Sequence, residues 1–130
     1  MSLQRTIELY AAIHLFVIGL SHTFQPRVWV EFFIHLRQLG HTGVFVTGFM
    51  SLYFGSIIVA FHNVWSGLPL VLTILGWSQL VKALLYFVVP SVGARAMSRV
   101  SMERRNEFIA PGILFLVLAA LMLYLALRGT

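Results

Sequence analysis

The stretch LPLVLTILGWSQLVKALLYFVVP, which runs from Leu68 to Pro90, decides the fold class of this chain. It is long enough to cross a bilayer, since a helix needs about 20 apolar residues to do so. Gln79 and Lys82 nevertheless lie well inside the apolar run. A lysine near the centre of a membrane helix costs about 2.5–3.5 kcal/mol on insertion scales. Its ammonium therefore needs a partner, a route to the headgroups, or a functional reason to be there.

The composition of the chain indicates a membrane protein. Of its 130 residues 59% are hydrophobic and 10% are charged, whereas soluble domains carry about 25% charged residues. The sequence has no cysteine, which excludes disulfides, iron–sulfur clusters and thiolate zinc sites. The net charge of +5 comes from arginines at segment ends. We therefore expect the lipid bilayer and its anionic headgroups as partners, and no nucleic acid.

Four apolar segments approach the length of a membrane span. They lie at about 6–24, 42–61, 68–89 and 109–127. This pattern predicts an all-α fold, an integral membrane four-helix bundle forming a single transmembrane domain over residues 1–130. A short interfacial amphipathic helix is predicted between the first and second spans, at about 27–39, because this segment is too short to span. One stripe of that helix is polar and carries Arg27, Glu31, His35 and Gln38.

Basic residues predict the orientation, because cytoplasmic connections carry an excess of Lys and Arg. The first and third connections hold six arginines, whereas the opposite side holds Arg5 and Arg128. We therefore expect a multi-pass protein with its first and third connections in the cytoplasm and both termini on the other side of the membrane. Four arginines of the third connection are expected to contact anionic headgroups: Arg95, Arg99, Arg104 and Arg105.

Depth along the spans predicts a polar layer inside the membrane. With about 1.5 Å of rise per residue, Lys82 and Ser51 lie about 12 and 14 Å from the cytoplasmic ends of their spans. Gln79 and His14 lie about 16 and 18 Å deep on the same scale. These four residues, with Tyr86 one turn from Lys82, form a candidate ligand-binding site. The alternative is that Lys82 extends past Tyr86 to the cytoplasmic headgroups.

The turn between the second and third spans admits two interpretations. Trp65 is typical of an anchor at the headgroups, and the glycine and proline that follow it are typical of a turn; we favour this interpretation. The alternative pairs His62 with Glu8 of the first span, so that His62, Glu8 and Trp65 form a titratable outer gate.

The histidines raise the question of a metal or haem. A haem between His14 and His62 is excluded, since their depths differ by about 12 Å. A metal site at the cytoplasmic edge is geometrically open to His22, Glu31, His35 and His41. We favour instead salt bridging at four-residue spacing along Arg27, Glu31 and His35. No catalytic residue, metal or cofactor is assigned.

Small residues recur at four-residue steps in the second span, at Gly43, Thr47, Ser51 and Gly55. This spacing lets helix backbones approach closely. It predicts a packing face, either within the bundle or between the protomers of a homo-oligomer.

Three short motifs link the chain to known membrane proteins. They are Gly19–His22 with Pro26, Phe61–Trp65, and Gly76–Trp77 with Lys82–Leu84 and Pro90. In these motifs, which cover roughly the first three spans, the chain resembles small bacterial four-helix inner-membrane proteins of the DoxX-like and uncharacterised families. The resemblance implies a four-helix bundle in the bacterial inner (plasma) membrane, which would place both termini in the periplasm. It brings no established catalytic residues with it.

The sequence supports three hypotheses about function. We favour a non-enzymatic polytopic membrane protein whose intramembrane polar layer binds a small lipophilic or anionic ligand or supports a membrane assembly. The second hypothesis is a small oligomeric transporter or channel. The third is a histidine-dependent membrane enzyme or electron-transfer subunit, although no zincin, histidine-box, nucleophile-elbow or phosphate-loop motif is present.

Overall fold

Helices make up most of the chain. The computed structural model describes residues 1–128, and over this range it contains α-helices, one 3₁₀ helix and no β-strand. The helices are α1 (Leu3–Phe24), α2 (Pro26–Gln38), α3 (His41–Phe61), α4 (Leu70–Val88), α5 (Pro90–Met97), the 3₁₀ helix (Met102–Phe108) and α6 (Ile109–Leu127). Four helical segments are long and apolar enough to cross a membrane: α1, α3, α4, and the 3₁₀ helix continued by α6. The prediction of an all-α chain with four helices of spanning length is therefore confirmed.

Local sequence explains where several helices begin. Ser2 caps α1, because its hydroxyl accepts a hydrogen bond from the backbone N–H of Arg5 at 3.3 Å. Pro26 begins α2 in the first turn, where the backbone N–H that proline lacks would have no helical partner. Gly40 and Gly67 have φ of 64° and 69°. Glycine adopts this left-handed backbone at little cost, which permits the turns before α3 and α4.

The third connection holds more structure than its basic pattern predicts. It contains α5, a helix of eight residues that begins at Pro90. Gly93 of α5 lies so close to α3 that an added Cβ would be 2.6 Å from Val44 Cγ1 and 3.0 Å from the Tyr86 ring. The absence of a side chain at Gly93 therefore lets α5 pack onto the ends of α3 and α4.

An arginine from α2 closes the end of α5. Arg37 Nη1 donates to the carbonyl oxygens of Met97 at 3.2 Å, Ser98 at 3.4 Å and Val100 at 2.9 Å. Carbonyls at and beyond a helix C-terminus have no partner within the helix, and a cation interacts favourably with them. These bonds fix α2 to α5 at the end of the molecule formed by the connecting helices.

The four long helices pack as two antiparallel pairs, α1 with α6 and α3 with α4. Within the first pair, a Cβ added to Gly19 would lie 3.0 Å from the Gly112 carbonyl oxygen. Within the second, a Cβ added to Gly55 would lie 2.6 Å from the backbone nitrogen of Leu80. The two pairs meet in a hydrophobic cluster to which all four helices contribute: Ile7, Ala11, Ala12, Leu15, Phe54, Ile58, Leu72, Ala119, Met122 and Leu125.

The small-residue face of α3 is used inside the chain. Its four members, Gly43, Thr47, Ser51 and Gly55, are all buried. A Cβ at Gly43 would overlap the Leu36 carbonyl of α2, and one at Gly55 would overlap the backbone of α4. The structure therefore shows the first of the two predicted alternatives, a packing face within the chain. Homo-oligomerisation through this face stays a prediction.

Three buried polar residues join the helices at the end that holds the α3–α4 turn. His62 Nε2 lies 3.2 Å from Glu8 Oε1, and both side chains are at most 1% exposed. Gln4 Nε2 also donates to Glu8 Oε1, at 3.0 Å. The Thr73 hydroxyl lies 2.8 Å from the Val64 carbonyl oxygen, 3.2 Å from the Val64 N–H, and 3.3 Å from His62 Nδ1. We call Glu8, His62 and Thr73 the turn-end cluster; it connects α1, the turn and α4.

Replacing Thr73 by valine, which has nearly the same shape, should destabilise the protein. The variant removes the hydroxyl and leaves buried backbone groups of the turn without partners, a loss of about 1–3 kcal/mol in the free energy of unfolding. Thermal unfolding in detergent measures it. The matched control is Ser78→Ala, which removes an exposed hydroxyl that bonds only its own helix and should change stability by less than about 0.5 kcal/mol. Equal effects of the two substitutions would contradict a structural role for the cluster.

Gly55→Ala tests the close approach of α3 and α4. By helix propensity alone, alanine should stabilise a helix interior by about 0.5–1 kcal/mol. The added methyl would instead meet the backbone of α4, which cannot move aside without separating the helices. We expect a fall in the melting temperature of the variant in detergent. Ser56→Ala, at the neighbouring half-buried position, should leave it nearly unchanged, and a stabilised Gly55→Ala protein would show that the helices are not in contact there.

Candidate functional site

A cavity of about 410 Å³ lies between the helices toward the end formed by α2 and α5. Its volume falls in the range of about 300–1,000 Å³ that is typical of small-molecule sites. Four of the five residues predicted as a polar layer line it: His14, Ser51, Gln79 and Lys82. The fifth, Tyr86, lies directly beside it, with its ring centroid 5.4 Å from Lys82 Nζ. The depths read from the sequence therefore identified residues that the fold does bring together.

Helical spacing places the polar side chains of α4 on one wall of the cavity and those of α3 on another. On α4, Gln79 and Lys82 are three residues apart and so share a face. On α3, Thr47 and Ser51 are four apart, and both line the cavity with short side chains. The Thr47 hydroxyl donates back to the Gly43 carbonyl at 3.1 Å, so its hydrogen is already used within α3.

The Lys82 side chain is half-buried and faces the cavity. Among residues 1–128 the ion pairs are Glu8–His62 and Arg104–Glu107, and neither includes this lysine. Its ammonium lies over the face of the Tyr86 ring, an arrangement that attracts a cation to the electron-rich ring surface. Tyr86 is only 7% exposed and is covered by α5, so the amine ends against a buried ring. This geometry differs from the alternative in which the lysine passes Tyr86 to reach the headgroups.

Two histidines of α1 face the cavity, and they differ in the hydrogen bonding of their ring nitrogens. His14 stacks on Phe54, with ring centroids 4.6 Å apart, and its ring nitrogens are not bonded to any residue between 1 and 128. His22 stacks on Trp29 at 4.2 Å, and its Nδ1 lies 2.9 Å from the Ile18 carbonyl oxygen. Because a carbonyl oxygen only accepts, Nδ1 of His22 carries the hydrogen. In the neutral ring Nε2 is then the free acceptor.

Several lining residues were missed by sequence reasoning. Trp29 and Phe33 lie in the segment predicted as an interfacial helix, yet they cover the cavity at the α2 end. His22 was assigned to an edge site, yet it also lines the cavity. The four-residue spacing of His14, Ile18 and His22 places them on one face of α1 and was the available signal.

The candidate metal site at this end is not formed. Within residues 1–128 no group of three or more His, Cys, Asp or Glu residues is placed to hold a metal ion. Glu31, His35 and His41 are exposed, whereas His22 is 9% exposed and stacked on Trp29. These residues are separated because α2 turns its apolar face inward and its polar stripe outward. The salt-bridge series along that stripe is also not formed, since neither ion pair of the described chain involves α2.

The residues proposed as an outer gate separate into two places. Glu8 and His62 are in contact in the turn-end cluster, as the less favoured interpretation required. Trp65 is 61% exposed and lies outside that contact. Whether the pair gates anything stays a prediction.

The chain of bonds from Thr73 through His62 to Glu8 has the composition of a catalytic triad but not its accessibility. A nucleophile must reach a substrate, and an adjacent base must be free to take its proton. Thr73 is fully buried at 0% exposure, and the carbonyls of His62 and Val64 lie 3.0 and 2.8 Å from its hydroxyl as acceptors. These contacts favour a structural role over nucleophilic catalysis.

Comparison of the chain with family models, curated proteins and solved structures found no match. The resemblance to DoxX-like membrane proteins therefore stays a prediction, and the function is argued from the cavity itself.

Proposed function

We propose that this chain is a non-enzymatic, multi-pass membrane bundle whose cavity binds a small lipophilic or anionic molecule. The observation that carries the proposal is the convergence of His14, Ser51, Gln79 and Lys82 on one cavity of about 410 Å³. These residues come from three helices that are each long and apolar enough to cross a membrane.

Polar groups inside a membrane need hydrogen-bond partners. In hydrocarbon no solvent is available to bond a polar group, so the group is paired inside the protein or faces a cavity that holds a polar partner. The residues of the turn-end cluster are paired inside the protein. The polar residues of the cavity instead face a space that can hold a polar partner. A bound molecule with hydrogen-bond acceptors would supply the partner that Lys82 lacks among residues 1–128.

The proposed setting is the bacterial inner membrane, with α2, α5 and the 3₁₀ helix on the cytoplasmic side and both termini periplasmic. The basic residues of the third connection support this orientation, because they are exposed and would meet anionic headgroups. They are Arg95, Arg99, Arg104 and Arg105. On this placement the cavity opens toward the cytoplasmic half of the membrane.

A small transporter is the second candidate function, and one observation favours it. The cavity reaches the α2 end of the molecule, whereas the turn-end cluster closes the opposite end with buried hydrogen bonds. A binding cavity that lies nearer one end of the bundle, and that buried hydrogen bonds separate from the other end, is consistent with one state of a transporter. Flux through liposomes that contain the purified protein would favour this candidate over simple binding.

Lys82→Met tests the proposed site. Methionine keeps much of the length of the side chain and removes its charge, so the fraction of protein that retains a copurified small molecule should fall by about tenfold or more. Native mass spectrometry of the protein extracted in mild detergent measures this fraction. Lys82→Arg should retain the molecule, and Arg99→Met, which removes an exposed charge, should not affect it.

The stability of the same variant separates binding from folding. Replacing an unpaired, partly buried charge with an apolar group is often neutral or stabilising. The ligand-free Lys82→Met protein should therefore melt at or above the temperature of the ligand-free native chain. A Lys82→Met protein with unchanged ligand content would contradict the proposed role of the cavity.

A further inference from the structure

Building on the proposed function, we infer that the cavity binds an anionic amphiphile, a molecule with one terminal oxyanion and a hydrocarbon chain. The oxyanion, a carboxylate or a phosphate, lies at Lys82. The chain runs along the apolar lining and leaves beside α3 into the bilayer. The chemistry is shared by free fatty acids and by acidic phospholipids, which differ in head group.

The chain has few carboxylates, and none within residues 1–128 lies near Lys82. The whole sequence contains four carboxylates and nine Lys and Arg residues. Glu8 is bonded to His62 and Gln4 in the turn-end cluster, at the far end from the cavity. The remaining three, Glu31, Glu103 and Glu107, are exposed on the connecting segments. Among residues 1–128 no carboxylate side chain is therefore placed to neutralise the ammonium of Lys82, and a bound anion would supply the missing counter-ion.

The polar groups around the lysine suit an oxyanion. An ammonium offers three donors, and one cation–π contact with Tyr86 leaves them without an acceptor among residues 1–128. Ser51 and Gln79 line the same cavity and can both donate. A carboxylate or phosphate accepts several bonds at once, and bonds between charged partners are about twice as strong as neutral ones.

The rest of the lining suits a hydrocarbon chain. Aromatic and aliphatic side chains make up most of the wall, including Phe33, Phe54 and Phe115. A molecule with charge at both ends would leave one of them against these rings, which costs several kcal/mol per ion in an apolar site. One polar end and one apolar end match the distribution of groups.

The cavity also opens toward the position that lipid would occupy. Two of its lining residues on α3, Met50 and Tyr53, are 42% and 68% exposed. They lie on a helix long and apolar enough to span a membrane, so their exposed faces would meet acyl chains. A hydrocarbon tail leaving beside them would continue among the lipids, and a ligand would reach the site sideways from the membrane.

Fluorescence quenching of Trp29 provides the test, because this residue lines the cavity. The chain has three tryptophans, and Trp65→Phe with Trp77→Phe leaves Trp29 as the sole reporter. The full-length protein is placed in nanodiscs of zwitterionic phosphatidylcholine. Stearic acid carrying a nitroxide on its chain, and its methyl ester with the same label, are the matched probes.

The acid should quench Trp29 saturably, with an affinity about tenfold or more above that of the neutral ester, the effect of one charge-assisted bond. Lys82→Met should abolish this preference and Lys82→Arg should preserve it. Arg105→Met, which removes an exposed charge, should have no effect. Competition by unlabelled oleate or by oleoyl-lysophosphatidate then distinguishes a carboxylate head from a phosphate head.

Each result decides between defined alternatives. Saturable binding of acid and ester with equal affinity would overturn the inference while the proposed binding site stands. A preference for the acid that persists in Lys82→Met would also overturn it, since the oxyanion would then lie elsewhere. No saturable quenching by either probe, in protein whose melting temperature matches that of the native chain, would overturn the inference and count against the proposed function as well.

Discussion

Polar groups placed in hydrocarbon need partners within the protein, and the two polar regions of this chain meet that constraint in opposite ways. In the turn-end cluster each group has a neighbour: Glu8 bonds His62, and Thr73 bonds the turn. In the cavity, the ammonium of Lys82 lies over the face of the Tyr86 ring and forms no ion pair within residues 1–128. The first region therefore stabilises the packing of the helices. The second holds an ammonium without an ion-pair partner in that part of the chain, and this difference is the basis for proposing a binding role for the cavity.

The position of the cavity follows from how closely the helices pack. Glycines allow α1 to approach α6 and α3 to approach α4 closely where they cross. The two pairs share a hydrophobic cluster, and most of its members lie toward the turn end. Toward the other end the pairs are separated, and short side chains such as Ser51 leave space that α2 covers with Trp29 and Phe33. The amphipathic α2 thus acts as a wall of the site, held in place by Arg37.

The histidines illustrate why composition is a weak guide to chemistry. Five are present, enough to suggest a metal or haem, yet no suitable group forms among residues 1–128. His22 is stacked on Trp29, and His62 contacts Glu8 in the turn-end cluster. His35 and His41 are exposed. A binding role for His14, which is stacked on Phe54 beside the lysine, is consistent with this distribution.

Features that depend on neighbours along the chain could be predicted from the amino-acid sequence alone. Segment length and hydropathy predicted four spanning helices and the separate α2, and the rise per residue placed His14, Ser51, Gln79 and Lys82 at one level. Which helix faces meet could not be predicted in this way, because the rotation of a helix about its axis is set by packing against residues distant in sequence; the packed fold shows it. It joined Glu8 to His62 across 54 positions, turned the polar stripe of α2 away from His22, and enclosed the small-residue face of α3 within the chain.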